Sequence, residues 1–298
     1  MQRSRSKLFI LLVIVMSLSM VVLGCNSNTG GDQGISDDKD TPIRIGVNNW
    51  PENVAAANLW KIILEEKGYK VQLINGEKAP IYTGVAKGDL QLGLEVWLPT
   101  TDEHYVSQYK DNIEMYEPWY EGTRLGLVVP SYVNVNSIEE LNANKQDFLV
   151  NNKPSIVGID AGASLMRLSA EVIKKYNLDY QLINGTEPAM MAALKKAYDK
   201  KEPIVVTLWS PHWAFADFDL KYLDDSKKVY GDRENIHIMA TKGFGDKYPS
   251  VTRWLNQWKM DDQSLGSLMA KVNEEGNPAK GAGAWLEENR SLVDQWLK

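Results

Sequence analysis

Three tryptophans stand where a side chain can do selective chemistry. Trp50, Trp97 and Trp209 each lie within three residues of the end of a β-rich run. Each precedes a proline at the next or next-but-one position, as Trp50-Pro51, Trp97-Leu98-Pro99 and Trp209-Ser210-Pro211. Indole is the best of the side-chain rings for holding a cation over its face. In open α/β sheets ligands bind outside the carboxyl ends of the strands. A single tryptophan in such a place is most often a packing residue, but three in equivalent settings point to one shared site. The composition agrees, because ten tryptophans against five phenylalanines invert the usual ratio. Trp60, Trp254, Trp258, Trp285 and Trp296 fall within helical patterns and read as core.

Enzyme constellations are thin. His104, His212 and His237 are scattered, and neither H-E-x-x-H, G-x-S-x-G nor the phosphate-cradling G-x-x-x-x-G-K-[ST] occurs. With 39 acidic residues some close carboxylate pairs are unavoidable, and such pairs read as solvated surface. A glycosidase stays open in principle, because its two carboxylates need not be neighbours in sequence. The expectation is a binding protein rather than an enzyme, with no metal and no cofactor.

The elements that must position the tryptophans repeat. Gln72-Leu73-Ile74-Asn75-Gly76 is followed by Trp97, and Gln181-Leu182-Ile183-Asn184-Gly185 by Trp209, at similar distances along the chain. Each copy reads as strand, turn, helix and second strand, so two similarly built lobes with a cleft between them are expected. In the first, Ile43–Val47 is a strand, Ala55–Lys67 a helix stopped by Gly68, Tyr69–Ile74 a strand, 80–87 a helix, and Leu90–Val96 a strand with Leu90, Leu92, Leu94 and Val96 on one face. A polar helix through Tyr105 and Tyr109 and the strand Arg124–Val129 lead to Pro130, a candidate crossover. In the second, Ser155–Ile159 is a strand and Ser164 an N-cap for a helix to Tyr176. Tyr180–Ile183 is a strand, Ala189–Tyr198 a helix and Ile204–Leu208 a strand. Asn235–Ala240 reads as a return strand, and the amphipathic helical tail is expected to pack on the first lobe. This α/β organisation places lobe one at 43–130 plus 235–298 and lobe two at 131–234, and two linkers make a hinge.

The chain length suffices for two cores. Arg3, Arg5 and Lys7 precede an uncharged run from Leu8 to Gly24, the layout of a signal peptide over 1–24. Without those three, 30 of the 33 basic residues face 39 acidic ones, a net charge of −9 rather than −6, which argues against a nucleic-acid partner. Cys25 is the sole cysteine, so no intramolecular disulfide or thiolate metal cluster can form. Residues 25–42, rich in Ser, Asn, Gly and Asp, fit a flexible tether.

Val22-Leu23-Gly24-Cys25 resembles the bacterial lipobox, whose cysteine carries lipid after cleavage. Trp97-Leu98-Pro99-Thr100-Thr101, Gly158-Ile159-Asp160-Ala161-Gly162-Ala163-Ser164-Leu165-Met166, and Trp209-Ser210-Pro211-His212-Trp213 with Lys221-Tyr222-Leu223-Asp224-Asp225 downstream resemble the glycine-betaine-binding proteins of ATP-driven osmoprotectant importers, from about Ile43 to the C-terminus. The resemblance implies a type II-like periplasmic-binding-protein fold, two βα lobes on a two-segment hinge. It implies a lipid anchor at Cys25 on the outer face of the cell membrane, a monomer, and delivery to an ABC permease. It also implies a cage of Trp50, Trp97 and Trp209 around the trimethylammonium of glycine betaine, proline betaine or carnitine. A quaternary ammonium has no N–H donor, so a hydrogen-bonding pocket cannot distinguish it, whereas indole faces attract its diffuse charge at about 2 kcal/mol per desolvated contact. The ligand carboxylate is then expected at the amides of Ser164 and Leu165, where a helix start favours an anion. One departure stands out. The family histidine five residues after the Trp-Leu-Pro tryptophan is Asp102 here, and His104 lies two residues on as a candidate substitute. The rival readings are a secreted enzyme acting on a methylated amine and a carbohydrate-binding surface protein, since indole also stacks on sugars.

Overall fold

The computed structural model describes residues 37–298. The leader and Cys25 lie outside the described residues. In chain order the strands are β1 (Ile43–Val47), β2 (Val71–Asn75), β3 (Leu92–Leu98), β4 (Ile113–Met115), β5 (Tyr120–Pro130), β6 (Leu149–Val150), β7 (Lys153–Val157), β8 (Gln181–Ile183), β9 (Val206–Ser210), β10 (Leu220–Tyr222) and β11 (Glu234–Thr241). The helices are α1 (Pro51–Glu66), α2 (Lys78–Lys87), α3 (Glu103–Tyr109), α4 (Ser164–Lys175), α5 (Glu187–Lys200), α6 (Ala214–Asp217), α7 (Phe244–Lys247), α8 (Pro249–Gln257), α9 (Asp262–Glu275), α10 (Pro278–Glu288) and α11 (Arg290–Trp296).

β1 pairs in parallel with β2 and with β3, and β11 runs antiparallel along the other side of β3. β3 is buried through the whole of Leu92–Trp97, on both faces rather than on the one face that its leucines suggested. A strand covered on both sides carries no solvent face and so no alternation. In the other half of the sheet β7 pairs in parallel with β8 and β9, and β9 runs antiparallel to β5. The two copies of the five-residue repeat are equivalent. The Gly76 amide donates to Val47 O at 3.0 Å and the Gly185 amide to Ile159 O at 2.9 Å, so each copy closes its strand against the preceding one in the same way.

The chain passes between the halves twice. β5 pairs with β11 through Tyr120, Glu121 and Thr123, then with β9 through Arg124–Val128. The first crossing therefore falls inside one 11-residue strand and ahead of Pro130. Proline ends the strand because it has no N–H for the ladder, and this does not mark the change of sheet. The second crossing is the segment from β10 to β11.

The helical tail packs on α1, as its pattern suggested. Trp258 meets Trp60 edge-on at 5.4 Å and stacks on Trp119 at 4.2 Å, and Trp60, Trp254, Trp258, Trp285 and Trp296 are all buried. The packing of α10 against α9 needs a glycine, since a Cβ at Gly281 would lie 2.4 Å from Val272 Cα. Residues 37–41, which composition assigned to the tether, are tied down. The Ser250 amide donates to Asp37 Oδ1 at 2.9 Å, and Lys247 pairs with Asp38 at 3.1 Å. Polar composition describes a solvated segment and a hydrogen-bonded one equally well. Among the described residues no helix is long and apolar enough to cross a membrane.

Candidate functional site

β1, β3 and β9 end around one cavity. Its wall includes Trp50, Trp97 and Trp209 together with Glu52, Lys78, Thr101, Leu125, Ile159, Ala163, Ser164 and Leu165. Trp50 caps the start of α1, and Trp97 and Trp209 each lie one residue before the end of their strands, β3 and β9. The Leu98-Pro99 and Ser210-Pro211 bonds that follow two of them are both cis. Trp50 and Trp209 meet at 6.1 Å with their planes at 60°. The sequence-derived trio thus converges from both halves of the sheet, in a wall whose other residues are half apolar and half polar.

Two carboxyl groups orient the indoles. Trp209 Nε1 donates to Glu52 Oε1 at 2.8 Å, and Trp97 Nε1 donates to Glu95 Oε1. With their N–H groups spent this way, the rings keep their faces for the cavity. Both glutamates are buried, and the second oxygen of each has no protein partner among the described residues. Burial is the main force raising both above the usual carboxylate range. At Glu52 the nearby Glu95 charge adds to it, leaving the group well above 4.5. At Glu95 the Lys78 ammonium and the Trp97 N–H pull back, leaving it at about 7. A carboxyl raised in this way holds a proton in the folded state that the unfolded chain releases near 4.5. Its contribution to stability is therefore present below 4.5 and lost as pH rises toward about 7. Glu95→Gln keeps an acceptor for Trp97 but does not titrate. Its melting temperature relative to the wild type is expected to improve as pH rises from about 5 to 7, and a constant difference across that window would refute the shift.

Asp102 is fully buried and does not face the cavity. Its Oδ2 accepts the Trp97 amide at 2.9 Å and pairs with Lys78 Nζ at 2.6 Å, while its Oδ1 accepts from Ser164 Oγ at 2.8 Å. The helix cap therefore differs from the sequence expectation. Ala163 is the N-cap of α4 with no side-chain capping bond, and Ser164 is its first residue, its hydroxyl drawn to Asp102 instead. The amides of Ser164 and Leu165 make no hydrogen bond among the described residues, which is the state of any uncapped helix start. Thr101 is fixed by the buried Glu234, which accepts its amide at 2.9 Å and its hydroxyl, and also the Thr100 amide.

His104 is not in the cavity wall. It lies on α3 against Tyr105, with ring centroids 4.0 Å apart, and burial, the main cause, lowers its pKa. A helix turns each residue by about 100°, so a position two residues past Asp102 points elsewhere. His212 is not in the wall of this cavity either. Its Nδ1 accepts from the Ala214 amide at 3.1 Å, its Nε2 is 3.3 Å from Glu187, and its ring meets Trp209 edge-on at 4.7 Å.

A family model described as the substrate-binding domain of the ABC-type glycine betaine transport system matches residues 41–288. The chain belongs to this family. A glycine betaine/carnitine transport binding protein, GbuC, of Listeria monocytogenes is 41% identical over 145 residues, which are 48% of each chain, so the match spans about half the length of that relative. Lactococcal OpuAC, solved closed around glycine betaine, superposes with a TM-score of 0.80 at 31% identity, covering 87% of this chain and 100% of that one. The glycine betaine, L-proline-binding protein ProX of Borrelia burgdorferi does so with 0.82 at 31% identity, covering 87% and 97%. The fold is thus a periplasmic-binding-protein-like α/β fold, and the family is one of transport binding proteins rather than enzymes.

Within this glycine betaine family frame, sequence reasoning missed Glu52, Glu95 and Lys78. Glu95 had a signal, because it is a lone charge inside the apolar run Leu92–Leu98. A carboxylate there must be paired or protonated. Glu52, two residues after Trp50, had only proximity in sequence, and Lys78 had none.

Proposed function

We propose that the protein captures glycine betaine, or a close relative such as proline betaine or carnitine, outside the cytoplasmic membrane and hands it to the permease of an ABC importer. In this reading Trp50, Trp97 and Trp209 hold the trimethylammonium group, and the amides of Ser164 and Leu165 receive the carboxylate. A lipid on Cys25 keeps the protein at the membrane surface, with more than one acyl chain giving stable anchoring. The observation that carries the reading is the convergence of three indoles on one cavity, two of them, Trp97 and Trp209, with their N–H groups turned onto buried carboxyls. Three desolvated cation–π contacts of about 2 kcal/mol each amount to well over half of the roughly 8.2 kcal/mol of micromolar binding, before ordering costs.

The bonds from Trp209 to Glu52 and from Ser164 to Asp102 support closure as the working step, since each joins an element of one sheet half to the other. A ligand that touches both halves favours the closed state through its differential contacts. Calorimetric titration with glycine betaine, proline betaine, carnitine, choline and proline tests the reading. Glycine betaine is expected to bind in the micromolar range or tighter and proline, which lacks the quaternary group, at least tenfold more weakly. Failure of every quaternary ammonium compound to bind, with a sugar quenching tryptophan fluorescence instead, would move the protein to carbohydrate recognition.

A further inference from the structure

We infer that Lys78, held in place by Asp102, receives the ligand carboxylate and makes the cavity select zwitterionic quaternary ammonium compounds over those that carry only a positive charge. The inference rests on the quaternary ammonium reading given above and assigns its carboxylate end.

The residue where the family resemblance implies a histidine donor is an acid here, so the donor has to come from elsewhere. Asp102 is turned away from the cavity and already accepts from the Trp97 amide, Lys78 and Ser164. Lys78 is the group of that cluster that does reach the wall, and it is the only cationic side chain there. Its side chain is 2% exposed, and its ammonium donates to Asp102 Oδ2 and to Glu95 O, each at 2.6 Å. An ammonium has three donors, which leaves one without an acceptor among the described residues.

Lys78 and Ser164 grip the two oxygens of one carboxylate, so the ammonium and the start of α4 stand on either side of Asp102, and both reach the cavity wall. A ligand carboxylate placed there meets a cation together with the amides of Ser164 and Leu165, a charge-assisted arrangement at a helix N-terminus. Four anchors fix the lysine against the ligand's own charge. Besides Asp102 and Glu95 O, its ammonium lies 5.0 Å from the Trp50 ring centroid, and its helix is packed into the core. A trimethylammonium group has no N–H with which to replace it at Asp102. It is instead repelled from the ammonium itself and left to the indole faces of the wall.

The balance of formal charge in the wall then favours a zwitterion. Glu52, the only acid in the wall, has its carboxyl held well above the usual range, first by burial and then by the Glu95 charge. A choline-like cation brings no acceptor for the remaining N–H of the Lys78–Asp102 pair, whereas a betaine brings its own carboxylate to the lysine.

The test is calorimetric titration of the full-length protein with glycine betaine and with choline, in the wild type and in a Lys78→Met/Asp102→Asn variant. Both positions are changed because Lys78→Met alone would leave a buried carboxylate without its cation. The wild type is expected to bind glycine betaine at least about tenfold more tightly than choline, the scale of one charge-assisted hydrogen bond. The variant is expected to lose glycine betaine affinity by at least about tenfold and choline affinity by less than about threefold. Equal losses for the two ligands would overturn the inference and leave the pair a scaffold. Wild-type protein binding choline as tightly as glycine betaine would overturn it without any variant. Binding of neither ligand is a separate result, which sinks the quaternary ammonium reading itself and this inference with it.

Discussion

Trp209→Ala is expected to weaken glycine betaine binding more than about tenfold while unfolding stays cooperative. One desolvated cation–π contact is worth about 2 kcal/mol, above the 1.4 kcal/mol of a tenfold change. The fold is expected to tolerate the change because Trp209, one residue before the end of its strand, lines the cavity wall as well as the core, with Trp50 edge-on at 6.1 Å and His212 at 4.7 Å as its aromatic neighbours. The bond lost with the ring, from Nε1 to Glu52, leaves behind a carboxyl that burial already holds well above the usual carboxylate range. Trp209→Phe separates the two contributions. It keeps a ring face and removes only the donor, so it should lose less affinity than the alanine variant. Calorimetry showing wild-type affinity for Trp209→Ala would remove the residue from the site.

Asp102→Ala is expected to be the more damaging change to the fold. It strands the Lys78 ammonium in a position that is 2% exposed, and it removes the acceptor of the Trp97 amide and of Ser164 Oγ. Breaking a buried ion pair by deleting one partner costs about 3–5 kcal/mol, because the other charge stays behind without compensation. For a unit of this size that corresponds to a fall in melting temperature on the order of 10 °C. Removing the stranded charge as well, in Lys78→Met/Asp102→Ala, should recover part of the loss. A thermal scan in which the double variant is no more stable than the single one would show that the charge is not what makes the single change costly.

The fold was largely legible because its signals are local. A β-rich run, a turn and an apolar face at helical spacing identify each βα unit within a stretch of about thirty residues, and the doubled Gln-Leu-Ile-Asn-Gly stretch announces that the unit recurs. Errors arose where local signals stop. Pro130 ends β5 but does not mark the change of sheet, because the same strand serves two partners at its two ends. Ser164 has the side chain of an N-cap, yet its hydroxyl is drawn to an acceptor 62 residues away.

By itself, then, the sequence determined which tryptophans end strands and that two such units exist. Those are properties of residue type and short spacing, and they carry the aromatic half of the site. Only the tertiary structure decided the polar half. The bond from Trp209 to Glu52 spans 157 residues, and Glu95, Lys78 and Asp102 come together from β3, α2 and the turn after Trp97. What these groups do depends on being taken out of water. In solvent they would be four ordinary surface charges, but burial raises both glutamates above the usual carboxylate range and pairing fixes one lysine as the cation that faces the cavity. Desolvation is a property of the packed molecule, and no pattern of neighbouring letters encodes it.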